Sequence, residues 1–306
     1  MSADLALALR GVGAAVGGFE LHDVTMALPT GYVMGFVGPN GAGKTTTIRC
    51  LLGMMPHRTG QIELLGRPVP GPVEVRADVG VVLDRPCLVG DWRLTEVQRA
   101  LRPFYRRWDP ARYLELLERF ELDPRAKVKH LSRGMGMKLA IAVALSHHAR
   151  LLVLDEPTSG LDPIVRDDLV RIVGDYLTDE RHSVLFSTHI TTDLERIADY
   201  VTLISHGRIV RSAAKDDLLA GYRLVRGGPD QLRDPVGVEL LGVRRTTVGV
   251  QALVPTEQVD LLDAGLVVEA PTLEEIVVHV GAQPRVPAAA PAPQAPITAA
   301  RSRRTA

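Results

Sequence analysis

Gly38-Pro39-Asn40-Gly41-Ala42-Gly43-Lys44-Thr45-Thr46 follows the apolar run 32–37 and precedes a segment with helical character, 46–52. Glycines adopt the positive φ angles that curl a backbone around an anion, and they carry no Cβ atoms to block its N–H groups. Those donors continue into the N-terminus of the next helix, where the macrodipole also favours an anion. The pattern predicts a phosphate-binding loop in which Lys44 reaches the β- and γ-phosphates and Thr45 binds Mg²⁺. An accidental glycine-rich turn is the alternative, expected in on the order of a percent of chains this long.

Composition sets broad limits on the protein. The 306 residues can form one large or two ordinary domains, and 46% hydrophobic with 24% charged residues is typical of globular proteins. Lys plus Arg and Asp plus Glu number 36 each, so no nucleic-acid partner is expected. Two cysteines, Cys50 and Cys87, indicate a reducing compartment. No export signal or bilayer-length apolar run is visible, so work at a membrane would require another subunit that spans it.

A second motif supplies the carboxylates that the phosphate loop lacks. The run 151–154 is wholly apolar, as expected of a buried parallel strand, and it ends in Asp155-Glu156. Asp155 can hold Mg²⁺, directly or through water and Thr45, while Glu156 can polarise an attacking water. A plain solvated loop is the alternative for two adjacent carboxylates.

Strands that alternate with helices predict a mostly parallel α/β sheet, with the site at the carboxyl ends of its strands. Strands are predicted at 5–9, 19–24, 32–37, 61–65, 79–83, 151–154, 183–187, 200–205 and 208–212, and a glycine-rich turn at 11–18. Helices are predicted at 46–52, 94–108, 110–120, from about 133 to 147, and from 163 to 177. The fold class is therefore a P-loop NTPase α/β core, 1–221, with an antiparallel β edge and a helical insert at about 85–147.

The remaining chain predicts a small α+β accessory domain at 222–281. Strands are expected at 236–243, 247–254 and 266–269, and Thr272 with Glu275 forms a capping box that starts a last helix. Residues 282–306, rich in Ala and Pro, are expected to be disordered. The arginines of this tail either are solvated or contact an anion.

Five motifs together resemble the ATP-binding subunits of ABC transporters. They are 38–45, Leu131-Ser132-Arg133-Gly134-Met135, 151–156, Ser159-Gly160-Leu161-Asp162 and His189, and the resemblance covers about residues 4–220. The sequence Asp-Glu-Pro-Thr-Ser-Gly-Leu-Asp at 155–162 is similar to that of the ABC-2 export type. Within this type, it resembles the subgroup related to bacitracin-resistance and acetoin-associated transporters. The resemblance implies an ATP hydrolase that powers transport, with export favoured, through a separate integral membrane permease subunit. It also implies a cytoplasmic location, peripheral on the inner face of the cell membrane.

The resemblance further implies a head-to-tail dimer with a second ATPase subunit, either identical or different. Each ATP would lie between the phosphate loop, 38–46, of one subunit and Ser132 and Gly134 of the other. Lys44, Glu156 and His189 would be catalytic, because in the family the histidine contacts the γ-phosphate and the water. Asp162 would connect the two sites.

Three features depart from the family pattern: the signature, the loop that contains Asp84 and the adenine-stacking aromatic. Arg133 and Met135 replace the central Gly and the Gln of the usual Leu-Ser-Gly-Gly-Gln signature. Asp84 stands where a Gln is usual; it could still bind Mg²⁺ or its water, but an ionised carboxylate cannot donate a hydrogen bond. The family's adenine-stacking aromatic is expected near Val16, which is not aromatic. The nearest aromatic ring, Phe19, either stacks on the adenine base or belongs to the core.

The insert is where the family contacts its membrane partner. Five arginines there form either a contact surface or a solvated helix face: Arg93, Arg99, Arg102, Arg106 and Arg107. Four aromatic residues also favour a protein contact: Trp92, Phe104, Tyr105 and Trp108.

Two other functions are compatible with the motifs. One is a soluble ABC ATPase that acts on ribosomes or DNA, although such proteins commonly pair two ATPase domains in one chain or carry a long coiled coil. The other is a regulatory module that binds ATP without hydrolysing it, for which the altered signature leaves room. The cargo would be determined by the membrane subunit.

Overall fold

The computed structural model describes residues 4–71, 73–83, 88–233 and 236–281. The strands are β1 (Leu5–Val16), β2 (Phe19–Pro29), β3 (Val33–Val37), β4 (Thr59–Leu64), β5 (Arg67–Val69), β6 (Val79–Val82), β7 (Leu151–Asp155), β8 (Ser183–Thr188), β9 (Tyr200–Ser205), β10 (Arg208–Ala214), β11 (Tyr222–Gly227), β12 (Leu241–Arg245), β13 (Val250–Pro255) and β14 (Val267–Glu269). The helices are α1 (Lys44–Leu51), α2 (Val73–Ala77), α3 (Leu94–Leu101), α4 (Pro110–Arg119), α5 (Arg133–Leu145), α6 (Pro163–Tyr176), α7 (Thr191–Ile197), α8 (Lys215–Ala220) and α9 (Leu273–Gly281).

The central sheet has the strand order β10-β9-β3-β8-β7-β6 and is parallel except for the β9–β10 hairpin. Its middle strands β3, β7 and β8 are buried along their whole length, which explains their uninterrupted apolar runs. Val37 pairs with Thr188, and Asp155 pairs with Ser187, so the carboxyl ends of these three strands lie side by side. This edge of the sheet is where the predicted site residues converge.

The antiparallel part forms a sheet of its own, in the order β2-β1-β4-β5. The predicted glycine-rich turn over 11–18 is wrong, because β1 continues to Val16 and only Gly17 and Gly18 form the turn. The pairing of β1 shifts register between Leu9 and Val12 and again before Ala14, which marks β-bulges. The glycines at 11 and 13 therefore accommodate bulges inside a strand.

The insert is helical, as predicted, but its first helix is shorter than expected. Helix α3 ends at Leu101 and is followed by a 3₁₀ turn at Arg102–Phe104, since Pro103 has no N–H to continue the α-helical pattern. The five insert arginines are exposed. Of the four aromatics, Phe104 is 76% exposed, whereas Trp108 is buried in the core.

The last part of the chain forms a third sheet, in the order β12-β13-β11-β14, covered by α9. The predicted capping box is present, because Thr272 N–H donates to Glu275 Oε2 at 2.8 Å and Glu275 N–H donates to Thr272 Oγ1 at 3.2 Å. The strand predicted at 236–243 is wrong: β12 begins only at Leu241, after a turn that contains Gly237 with φ 77°. Strand β11 was not predicted.

One apolar cluster runs from the central sheet into this last part of the chain. It joins Leu194 and Val201 to Leu253, Leu273 and Ile276, all of them buried. A further link is the backbone N–H of Leu273, which donates to Glu195 Oε1 on α7 at 3.1 Å. Across the described ranges, no helix combines the length and the apolar character required to span a membrane.

Candidate active site

The phosphate-binding loop connects β3 to α1, as the sequence predicts, and α1 begins at Lys44. Gly43 has φ 113°, a conformation that residues with side chains rarely adopt. A Cβ atom at this position would lie 2.8 Å from Leu21 Cδ2 and 3.0 Å from Phe19 Cζ. A glycine is therefore required at 43 by both backbone conformation and space. The same contact places Phe19 in the packing around the loop, while Val16 at the hairpin end is 45% exposed.

The loop is tied to two sheets by the β9–β10 turn. Gly207 N–H donates to Ala42 C=O at 2.9 Å, and Gly207 C=O accepts from His22 N–H at 2.8 Å. A Cβ at Gly207 would lie 2.0 Å from the carbonyl oxygen of Glu20, so only glycine permits this close approach. These two bonds hold the phosphate loop between the β9–β10 hairpin and β2.

Lys44 is the cation of the loop and is only 5% exposed. Its Nζ donates to the carbonyl oxygens of Gly38 at 2.6 Å and Pro39 at 3.3 Å. It also forms an ion pair with Glu156 Oε1 at 3.1 Å. In the structure, the two sequence motifs therefore meet at one point.

Asp155 connects the loop helix to two strand ends. Its Oδ2 accepts from the Thr45 hydroxyl at 2.8 Å, and its Oδ1 accepts from the Ser187 hydroxyl at 3.0 Å. Burial raises the pKa of this carboxyl, and the two hydroxyl donors oppose that effect. Ser187 was not singled out in the sequence; its position at the end of a buried strand is the signal that could have found it.

Glu156 follows directly and adopts φ 51°, which is unusual for a residue other than glycine. Its backbone N–H donates to Ser187 C=O at 2.9 Å, and its Oε2 contacts His189 Nδ1 at 2.7 Å. The His189 side chain is 39% exposed, whereas that of Glu156 is 14% exposed. A carboxylate held between a lysine and a histidine, next to the phosphate loop, can accept a proton from a water.

The other predicted site residues form a second group. The Ser132 hydroxyl caps α5 by accepting from Met135 N–H at 3.2 Å, and Asp162 Oδ1 caps α6 by accepting from Ile164 and Val165 N–H at 3.0 Å each. A Cβ at Gly134 would lie 3.5 Å from Val165 Cγ1, so the two helix starts are neighbours. Ser132 and Asp162 are both exposed.

Arg133, which departs from the family signature, lies against the loop before α6. A Cβ at Gly160 would meet its Nη1 at 3.0 Å. The arginine therefore covers a glycine of the segment 159–162. Asp84 and Cys87 lie outside the described residues. Residues 282–306, for which the sequence predicts a disordered tail, also lie outside them.

The donor set around Thr45 and Asp155 fits Mg²⁺. It offers a hydroxyl and a carboxylate oxygen, the hard ligands that this ion takes. No cluster of three or more His, Cys, Asp or Glu that could hold a metal occurs among the residues described. Mg²⁺ is usually bound by one or two protein oxygens together with waters and phosphate oxygens, so the small set is of the expected size.

The comparisons with known proteins agree with the motifs. The ABC transporter family matches residues 21–159. The bacitracin transport ATP-binding protein BcrA of Bacillus licheniformis is 32% identical over 192 residues, which covers 61% of this chain and 62% of that protein. The Nod factor export ATP-binding protein I of Rhizobium leguminosarum bv. viciae is 34% identical over 213 residues, with 67% of this chain and 68% of the relative covered.

A solved structure, that of an ATP-binding subunit of an ABC transporter, is similar with a TM-score of 0.63 and 28% identity. The match covers 70% of this chain and 91% of the solved one. The chain spans less than two thirds of the length of BcrA, at 62%. Fold, site geometry and relatives together show that this chain belongs to the ABC transporter family, as an ATP-binding domain with the P-loop NTPase fold.

Proposed function

We propose that the chain binds and hydrolyses ATP as a subunit of an ABC transporter and powers transport through a separate integral membrane permease. One observation carries the proposal: Glu156 lies between Lys44 and His189, at 3.1 and 2.7 Å, directly after the carboxylate that contacts Thr45. A binding-only module needs the phosphate loop, but it does not need a carboxylate held in this way. The arrangement therefore favours hydrolysis over the regulatory alternative.

The roles of the residues follow from their contacts. The amides of 38–46 and the Lys44 ammonium bind the phosphates of ATP, while Thr45 and Asp155 hold Mg²⁺ with Asp84 as a further candidate ligand. The metal ion would neutralise charge on the phosphate oxygens. Glu156 accepts the proton of the attacking water, and His189 orients the Glu156 carboxylate through Nδ1.

The second group of residues serves a partner subunit. Ser132, Gly134 and Asp162 lie at exposed or half-exposed helix starts, and a helix N-terminus favours an anion such as a phosphate. In a head-to-tail dimer, Ser132 and Gly134 close the site of the other subunit and Asp162 connects the two sites. The dimer is formed with an identical or a related ATPase subunit.

The direction of transport is export, and the chain is peripheral on the cytoplasmic face of the membrane. The name of one relative, the Nod factor export ATP-binding protein I, supports this direction. The exposed arginines of the insert and Phe104 provide a surface for the permease. The balanced charge of 36 basic and 36 acidic residues gives no support to a nucleic-acid partner.

The test is a pull-down of the tagged full chain from detergent-solubilised membranes of the source cell. Glu156→Gln with ATP is used to hold the dimer closed, and Lys44→Ala, which weakens phosphate binding, is the matched control. Recovery of a polytopic membrane protein with Glu156→Gln, but less with Lys44→Ala, supports the proposal. Recovery of only ribosomal or other soluble proteins overturns the transport assignment and favours a soluble ABC ATPase.

A further inference from the structure

Helices α6 and α7 connect two different parts of the site. Helix α6 starts directly after Asp162, and the backbone N–H of Arg166 donates to Asp162 C=O at 3.0 Å. Helix α7 starts two residues after His189 and carries Asp193 in its first turn. The two helices therefore join the loop proposed to face the partner subunit to the histidine that contacts Glu156.

Two ion pairs cross between these helices, and they differ in character. Arg196 Nη1 donates to Asp167 Oδ1 at 2.8 Å, with side chains that are 58% and 43% exposed. In the other pair, Arg166 Nε lies 4.0 Å from Asp193 Oδ1, and the side chains are 31% and 6% exposed. We call it the buried pair because Arg166 Nε and Asp193 Oδ2 are buried atoms. The exposed pair is in full contact, whereas the buried pair is about 1 Å longer than a charge-assisted hydrogen bond.

The buried pair leaves polar atoms without hydrogen-bond partners. Arg166 Nε and Asp193 Oδ2 are both buried and lack a hydrogen-bond partner, and so does Thr158 Oγ1 in the loop after β7. In the part of the chain that the structure describes, Trp108 Nε1 is the only such side-chain atom outside this region. Buried groups of this kind are rare, and a small movement that brings an arginine and an aspartate together removes the cost of both.

We propose that Arg166 and Asp193 are positioning residues that couple the placement of Asp162 to that of His189. A shift of α6 toward α7 by about 1 Å brings the guanidinium into hydrogen-bond contact with the carboxylate. Because α7 follows His189 after a turn fixed by Ile190 N–H and Thr188 Oγ1 at 2.9 Å, movement of α7 is passed to the histidine. Movement at the partner-facing loop thereby changes the position of His189 relative to Glu156, which it contacts at 2.7 Å in this structure.

This inference rests on the proposed ATPase function, and three single substitutions test it in the full chain, purified with its membrane complex. Asp193→Asn keeps the volume and removes the charge. Asp193→Glu keeps the charge and extends the side chain by one methylene across the gap. Asp167→Asn removes the charge of the exposed pair between the same two helices and is the matched control. For each variant, kcat and KM for ATP are measured together with the unfolding temperature.

We expect Asp193→Asn to lower kcat by about 10- to 100-fold, the scale of a small misplacement of a catalytic group, with KM within about twofold. Asp193→Glu should keep at least about half of the wild-type kcat, and Asp167→Asn should stay within about twofold of it. Arg166→Lys removes Nε at a site that is 31% exposed and should lower kcat in the same way as Asp193→Asn. It serves as the second variant if Asp193→Asn does not fold.

Each other outcome is decisive. A purely structural role predicts the reverse order, with the isosteric Asp193→Asn near wild type and the larger Asp193→Glu impaired in both stability and turnover. A wild-type kcat in both Asp193→Asn and Arg166→Lys overturns the coupling, and so does an equal loss in Asp167→Asn. If the wild-type complex hydrolyses ATP no faster than the Glu156→Gln variant, the proposed function itself fails. If Glu156→Gln is inactive while Asp193→Asn keeps the wild-type rate of hydrolysis, only the coupling fails.

Discussion

At the scale of single residues, Glu156 is the position on which the proposed hydrolysis depends. It adopts φ 51° where β7 ends, and this conformation turns its carboxylate toward both Lys44 and His189. A strained backbone at such a point is commonly associated with function. Removal of its negative charge should therefore affect the chemical step more than the binding of the nucleotide.

We expect Glu156→Gln to retain ATP binding and to lower kcat by a factor of about 10² to 10⁴, the usual range for a general base. Steady-state hydrolysis and equilibrium binding of a fluorescent ATP analogue measure the two effects separately. Glu118→Gln, an exposed position on α4, is the control. Turnover of the Glu156→Gln variant within about threefold of wild type contradicts the assignment.

Gly43 offers a second test at this scale. Gly43→Ala places a Cβ atom 2.8 Å from Leu21 at φ 113°, so the loop must move and ATP affinity should fall by at least about tenfold. Gly66→Ala is the matched control, because Gly66 also has positive φ, 73°, but a Cβ there meets nothing within 4 Å. It should cost only about 1 kcal/mol of stability and leave ATP affinity unchanged. Equal affinities of the two variants would show that space at the loop is not limiting.

At the scale of elements, His147 connects the chain after α5 to the end of α2 and to the insert. The ring is buried and stacks on Tyr105 at a centroid distance of 4.2 Å, and its Nδ1 contacts Ala77 C=O at 3.0 Å. Burial lowers the pKa of His147 from 6.5 to about 4. The neutral ring is therefore the form that the folded protein holds.

The sign of the pH dependence follows from this pKa. In the unfolded chain His147 gains a proton below pH 6.5, while the folded chain resists protonation down to about pH 4. The contribution of His147 is complete above pH 6.5 and is lost between pH 6.5 and about 4, by on the order of 3 kcal/mol in total. Denaturant unfolding across this interval should show the slope, and His147→Gln should reduce it.

Sequence reasoning located most elements because their causes are local. The apolar runs of β3, β7 and β8 and the capping box of α9 are visible in a few consecutive residues. Helix α7, only seven residues long and largely polar, has no such signal. The bulges in β1 depend on pairing with β2 and β4, which the sequence of β1 alone does not specify.

The same distinction between local and long-range causes applies to the residues of the candidate site. Lys44, Asp155 and Glu156 were predictable because each lies in a motif with its own chemistry. Ser187 and the Arg166–Asp193 pair were missed, since their importance arises from contacts between residues far apart in the chain. The structural role of Phe19 was left open by the sequence, and only its contact with the loop glycine places it in the packing.

At the scale of the whole molecule, the shared apolar cluster makes residues 222–281 part of the stability of the core. Ile276→Ala should destabilise the chain by about 2 to 5 kcal/mol, because Ile276 is fully buried in the cluster that also contains Leu194 and Val201. Scanning calorimetry should show a single unfolding transition, shifted to lower temperature in this variant. Val248→Ala, at an 87% exposed position, should leave it in place. A separate early transition in the Ile276→Ala variant would instead indicate that the two parts unfold independently.

The β9–β10 turn that is hydrogen-bonded to the phosphate loop also has a consequence for the rate of nucleotide binding. Because Gly207 donates to Ala42 at 2.9 Å and accepts from His22 at 2.8 Å, the loop is anchored through this turn to the β9–β10 hairpin and to β2. Little chain entropy then remains to be lost on association, which favours fast capture. In stopped-flow mixing, nucleotide capture should appear as a single phase whose rate rises linearly with nucleotide concentration, without a plateau set by loop ordering. Slower phases would then report the later meeting of two subunits, and they would depend on protein concentration.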